Sequence, residues 1–222
     1  MINIDKLIYS KRHTIQLQIT SVGGLVVRAP NRCPMKTIER FIIQKEAWII
    51  SAQAKIHARQ EQMIPIYDNF QILLQGKTYQ IVLCDNKKIE FSNNSCCFPR
   101  NYCARFNHYV MLHYKKLAKI YLTSRVEYFA SLMQQYPTKL RFSNTKTSWG
   151  SCNSKREIAL NWRLMMVDPS MSDYVIVHEL SHLLQMNHSQ KFWQIVQSVI
   201  PNYKIVREML KRNDFLLSLY RN

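Results

Sequence analysis

His178, Glu179 and His182, with His188 six positions further on, have the residue types and the spacing of a metal hydrolase. On a helix, positions four apart share a face, about 40° apart around the axis and about 6 Å along it. His178 and His182 can therefore turn their imidazoles on one ion. Glu179, rotated about 100° from His178, stands beside that ion and over a bound water. Two nitrogen ligands, a carboxylate base and room for water are what a zinc hydrolase requires.

The flanks place this pattern on a buried helix. Tyr174, Val175, Ile176 and Val177 precede it, and Leu180, Leu183 and Leu184 run through it. A helix apolar on nearly all sides is buried. Buried histidines and a buried glutamate need partners, and an ion supplies them. An amphipathic helix with two surface histidines does not fit such flanks.

A catalytic zinc takes three protein ligands and keeps one open position. In a continuous helix His188 would lie roughly 120° off the metal face, so the helix must end before it. Asn187 is the expected stop, because Asn tolerates the left-handed conformation of a helix C-terminus. Ser189 then caps the next helix, which begins Gln190-Lys191-Phe192-Trp193. Metzincin proteases share the spacing but carry Gly where this chain has Gln185, so their turn is not indicated. Glu208 is the rival third ligand; its other reading is a solvated residue paired with Lys204 or Lys211. His188 is preferred, being the more usual zinc ligand type.

The elements that must position these groups follow from pattern. Asp168 and Pro169 suit the N-cap and first turn of the motif helix. Two helices follow, Gln190 to Ile200 and Tyr203 to Tyr220, parted by Pro201-Asn202. Phe192 and Trp193 are expected to lock the third-ligand turn. Tyr203 is a weak candidate for a second oxyanion donor. Leu140 to Asn144 and Glu157 to Leu164 read as strands around a turn at Ser148 to Lys155, and could pair with an extended substrate. Arg105 to Gln135 reads as a long helix, with Val110, Leu112, Leu117, Ile120, Tyr121, Tyr128 and Phe129 inward and His113 at the surface or core edge. Earlier come strands at Ile4 to Ser10, Thr14 to Ile19 and Leu25 to Arg28, the last two joined at Gly23-Gly24. A helix from Met35 to about Arg59 carries Ile38, Phe41, Ile42, Trp48 and Ile49 on one side. Phe70 to Leu83 reads as a hairpin broken at Gly76-Lys77, and Lys88 to Phe91 adds a strand. The polar stretch Ser92 to Arg100 is the expected lobe boundary.

Residues Thr147 to Trp193 carry a resemblance. Trp149-Gly150-Ser151-Cys152, Leu160-Asn161-Trp162-Arg163-Leu164, Tyr174-Val175, His178-Glu179-Leu180-Ser181-His182, Asn187-His188-Ser189 and Phe192-Trp193 occur in one order. Together they resemble the YgjP-like metallopeptidase family, related to the SprT-like zinc metalloproteases. Ser10-Lys11-Arg12, Val26-Val27-Arg28-Ala29-Pro30 and Lys45 with Trp48-Ile49 resemble it more loosely. Ser148 departs from the basic residue of many relatives. The resemblance implies a zinc peptidase with one Zn2+ on His178, His182 and His188, Glu179 as general base, and Trp149, Gly150, Ser151 and Asn161 as supporting or substrate-contacting groups. It implies an α+β chain: a small antiparallel β-rich lobe with one long helix over 1–98, then a zincin-like helical lobe with a short sheet over 99–222.

Composition narrows partners and compartment. No run of 18 apolar residues exists, so a membrane span is not expected. The opening residues lack a secretory pattern, and the six cysteines include no C-x2-C pair. Free thiols in a reducing cytoplasm are therefore expected, with Cys96 and Cys97 poorly placed to bridge each other and Cys152 a packing residue. The net charge of +17 suits polyanion contact, with nucleic acid or nucleotide, beside a peptide or protein substrate. Two other functions share the motif. A nucleotide pyrophosphatase fits the basic charge but lacks a glycine-rich phosphate loop, the chain having four Gly. A non-catalytic, DNA-associated zinc module leaves Glu179 beside an open ligand position without a purpose.

Overall fold

A computed structural model describes residues 3–20, 23–56 and 70–220. The chain divides into two compact units, 1–65 and 66–222. The first holds strands β1 (Lys6–Ser10), β2 (Gln16–Ile19) and β3 (Leu25–Pro30) in the order β1-β3-β2. β2 and β3 form the expected antiparallel pair, with Gly23 supplying a φ of 88° near the turn. β1 runs parallel to β3, so this sheet is mixed and not antiparallel. Alternate residues of β3, Leu25, Val27 and Ala29, face Ile38, Ile42 and Ile49 of two helices, α1 (Met35–Gln44) and α2 (46–56). Sequence periodicity suggested one helix here, ending near Arg59, which lies outside the described residues. Lys45 interrupts it with φ −105° and ψ 10°. The break shifts the buried register, so Ile49 is buried and Trp48 is 49% exposed.

The second unit is built on a long helix between two small sheets. β4 (Gln71–Leu74), β5 (Lys77–Cys84), β6 (Glu90–Ser92) and β7 (Ser95–Pro99) form a mixed sheet ordered β4-β5-β7-β6. The polar stretch expected to separate lobes thus contains β7, and the 98/99 position lies within the second unit. Cys84 and Cys97, on the parallel neighbours β5 and β7, are joined as a disulfide. Free thiols were expected at both. The pairing depends on strand register, which cysteine spacing does not reveal. Cys33, Cys96, Cys103 and Cys152 are free.

Helix α3 (Phe106–Met133) buries Val110, Met111, Tyr114, Ala118, Leu122, Val126, Phe129 and Ala130. Leu112, Ile120 and Tyr128, expected inward, are exposed. A helix this rich in apolar residues on several sides offers more than one plausible stripe, and packing selected the one through Tyr114. Beyond it β8 (Lys139–Ser143), β9 (Gly150–Cys152) and β10 (Glu157–Asn161) are ordered β8-β10-β9, with β10 parallel to β8 and antiparallel to β9. Within the expected Ser148–Lys155 turn, β9 is therefore an additional edge strand.

The central helix α4 (Pro169–Ser181) packs against α3, β9, α5 (Gln190–Val199) and α6 (Tyr203–Arg212). Its start is as expected: the Asp168 carboxylate accepts from Ser170 N at 2.9 Å, and Pro169 occupies the first turn. Gly76, at φ +76°, lets the β4–β5 turn lie against Asp168, where a Cβ would come within 3.0 Å of the Asp168 Cα. Gln75 N and Gly76 N donate to the carbonyls of Met165 and Met166. α6 ends at Arg212, short of the expected Tyr220, and a 3-10 segment, Asp214–Ser218, follows. Among the described residues no helix is long and apolar enough to cross a membrane.

Candidate metal centre

α4 is buried over nearly its whole surface, as its apolar flanks require. Its intrahelical bonding ends at Ser181 and His182, where Leu184 N and Gln185 N turn onto the Ser181 carbonyl. Asn187 does not adopt the left-handed conformation expected of it, being absent from the positive-φ residues. Its side chain shapes the turn instead: Oδ1 accepts from Ser189 N at 3.2 Å and from Gln185 Nε2 at 2.7 Å. The result brings His188 back to α4. Ser189 precedes α5, but its side chain makes no capping bond.

His178, His182 and His188 offer ligand nitrogens that all lie within 4.8 Å of one another. His178 Nε2 and His188 Nε2 are 3.1 Å apart. A tetrahedral zinc with bonds of ~2.05 Å holds its nitrogens ~3.3 Å apart, so this pair has the spacing an ion needs. Without an ion the same distance suits a hydrogen bond between neutral imidazoles, one nitrogen donating and the other accepting, and burial keeps the inner rings neutral. His178 is pushed down to about 3 by burial, then by the charges of His182, His188 and Arg207. Burial also lowers His182. A neutral imidazole with a free lone pair is the metal-binding form. His182 Nδ1 sits 3.2 Å from the Gln185 carbonyl, an arrangement that puts the proton on Nδ1 and leaves Nε2 for the ion. The residues present therefore fit a divalent cation. Phe192 and Trp193 wall the trio as expected, with ring centroids 4.6–5.9 Å from the histidine rings.

Glu179 is 5% exposed, and burial raises its carboxyl to about 8 in the metal-free chain. It lies against Gly150 of β9. A Cβ added there would come within 2.6 Å of Glu179 Oε1 and 2.8 Å of its Cγ. Gly150 is thus the gap through which the carboxylate reaches its position. Trp149 beside it donates from Nε1 to Asp214 at 2.8 Å. Asn161 is fully buried. Its Nδ2 donates to the carbonyls of Thr145 and Ser148, and its Oδ1 accepts from Arg163 N. It braces the segment leading into β9. Ser151 is exposed on the edge strand.

The other sequence candidates lie elsewhere. Glu208 is exposed and paired with Lys211 at 2.7 Å. His113 packs on Phe91, ring centroids 5.8 Å apart. Tyr203 is buried with its ring stacked on Trp193 at 5.3 Å. Burial raises the Cys152 thiol, the form in which it is a poor nucleophile. Two residues near the centre gave no sequence signal: Asp214, which orients Trp149, and Arg207, whose guanidinium lies 5.0 Å from the Trp193 ring.

The family model described as YgjP-like, metallopeptidase domain, matches residues 13–213. Among solved structures, the crystal structure of the metallopeptidase zymogen of Pyrococcus abyssi abylysin is similar over 40% of this chain and 90% of that one, with 24% identity and a TM-score of 0.37. No curated protein sequence matches the chain.

Proposed function

Because the chain belongs to the YgjP-like metallopeptidase family, we propose that it hydrolyses peptide bonds with one zinc ion held by His178, His182 and His188. The observation that carries this reading is the convergence of three histidine nitrogens beside a buried carboxylate. The donor set is all imidazole, which suits zinc. When bound, such an ion polarises a carbonyl and acidifies a water. Glu179 accepts the proton of that water at its carboxylate and returns it to the leaving amine nitrogen. His182, held through Nδ1 by the Gln185 carbonyl, keeps its ring oriented. The three-stranded sheet leaves one side of β9 unpaired, next to Glu179. An extended peptide adding there would be held by its backbone, with limited side-chain preference.

Two measurements test the reading. Zinc-loaded protein is expected to cleave unfolded casein, to lose that activity to a chelator and to regain it with zinc. Release of pyrophosphate or phosphate from nucleoside triphosphates under the same conditions, without casein cleavage, would replace it with the pyrophosphatase or phosphoanhydride-hydrolase reading. Gly150→Ala is the second. The added methyl displaces the Glu179 carboxylate while leaving the histidines in place, and a displacement of about 1 Å costs on the order of 100-fold in rate. Turnover should fall by that order with zinc content unchanged. Activity within threefold of the parent would show that the contact with Gly150 does not position the base.

A further inference from the structure

The stretch beyond α6 is tied at two points to the strand that walls Glu179. Continued as a helix, α6 would carry Asp214 onto the face of Val206 and Leu210, which is buried. It stops at Arg212 instead. Asn213 satisfies carbonyls of the last turn: its N donates to Leu210 O and its Nδ2 to Met209 O, both at 2.9 Å. The chain then passes through the 3-10 segment Asp214–Ser218, with Leu216, Leu217 and Leu219 buried. At the start of that segment Asp214 Oδ1 accepts from Trp149 Nε1 at 2.8 Å. Just past its end the Leu219 carbonyl accepts from Arg163 Nε at 3.0 Å and Nη2 at 2.7 Å. Trp149 leads into β9 and Arg163 follows β10. Because these strands run antiparallel, both anchors hold the same end of the pair, the end that carries Gly150.

Trp149 is 7% exposed, and its carbonyl accepts from Asn161 N at 2.8 Å. An indole N–H only donates, and a buried one needs an acceptor. Asp214 supplies it. The planar peptide unit after Trp149 leads directly to Gly150, whose backbone meets the Glu179 carboxylate with no side chain between them. One hydrogen bond, one indole and one peptide unit therefore separate Asp214 from the base. The role this gives Asp214 rests on the peptidase reading above, in which the Glu179 carboxylate must stand within about 2.6–3.2 Å of the water it deprotonates. We propose that Asp214 is a positioning residue of that reaction: through the Trp149 indole it fixes β9 at Gly150, and so sets the place of the Glu179 carboxylate. Without the acceptor the indole N–H is left unpaired in a buried setting. The ring shifts to recover a partner, and Gly150 moves with it.

The test uses full-length protein, zinc-loaded for casein turnover and metal-free for amide NMR spectra. Asp214→Ala should lower kcat on the order of 10- to 100-fold, with KM within about twofold and zinc content unchanged. Asp214→Asn keeps an acceptor oxygen at the same reach and should restore kcat to within about threefold of the parent. Trp149→Phe removes the donor and should cost what Asp214→Ala costs, and the double variant should lose no more than either single one. In the metal-free protein the backbone amide signals of Gly150 and Glu179 should move in Asp214→Ala and return in Asp214→Asn. An Ala variant with a lower melting temperature but parental kcat and unmoved signals would make Asp214 a stabilising contact and overturn the proposal. So would equal losses in the Ala and Asn variants, or additive losses from Asp214→Ala and Trp149→Phe. If Asp214→Ala does not fold, Trp149→Phe is read by the same two measurements, and parental kcat with unmoved signals there overturns the proposal. The parent protein separates the two levels. A parent that cleaves no peptide defeats the peptidase reading, while the amide signals still read the link from Asp214 to Glu179. A parent that cleaves, with kcat and signals unmoved in the Asp214 variants, defeats the role of Asp214 and leaves the peptidase reading standing.

Discussion

Glu179→Gln is expected to bind zinc as the parent does and to cleave unfolded protein about 100- to 10,000-fold more slowly. The amide has the shape of the carboxylate and fits the same gap over Gly150, but it cannot accept the water proton. The same variant has a second consequence in the metal-free protein. Burial raises the Glu179 carboxyl from 4.5 to about 8. A raised acid contributes stability that is full below its unfolded value and is lost as pH rises through the folded one. Metal-free parent should therefore lose stability between about pH 5 and pH 8, and the Gln variant should not share that loss. Above pH 8 the variant should be the more stable, by a few kcal/mol. Loading the site with a cation favours the carboxylate and narrows the gap. Thermal melts with and without chelator, beside turnover, check both parts. Retained turnover with contamination excluded would remove Glu179 from the role of base, and parallel pH profiles would show that it is not held neutral by burial.

What could be read from sequence here was local. Asp168 and Pro169 announce the start of α4 because capping depends on residues adjacent in the chain. The four-residue spacing of His178 and His182 is a property of one helix. The need for a break before His188 follows from helix geometry alone, and the three histidines do converge. The device that makes the break is not the one residue type suggests: Asn187 acts through its side-chain oxygen and not through a left-handed backbone. Misses grow with distance along the chain. The Cys84–Cys97 bridge depends on β5 and β7 pairing in parallel. The buried stripe of α3 was chosen by what packs on it, and the mixed order of each sheet arises from strands that are not sequence neighbours. Gly150 was noticed through a resemblance, yet its physical reason, the approach of Glu179, appears only when α4 meets β9. Arg207 gave no signal because its setting is an indole from another helix.

His188→Ala should weaken zinc binding by more than the roughly 10- to 100-fold that loss of a supporting partner costs a metal site. His188 is exposed on a turn that Asn187 holds through Ser189 N and Gln185 Nε2, and its own Nε2 faces His178 Nε2. Removing the ring leaves two nitrogens on α4, too few to close a catalytic zinc site. Glu208 does not take its place, since it is exposed and paired with Lys211. Stability reads the same event without turnover. Zinc at one hundred times its Kd stabilises a folded protein by about 2.7 kcal/mol. The parent should show that rise in melting temperature on zinc addition, His188→Ala should show little of it, and Glu208→Ala should show all of it. A zinc-induced rise that survives in His188→Ala and vanishes in Glu208→Ala would transfer the third ligand to α6. In that outcome the 3.1 Å approach of His178 and His188 would be a contact of the metal-free chain, broken when the ion enters.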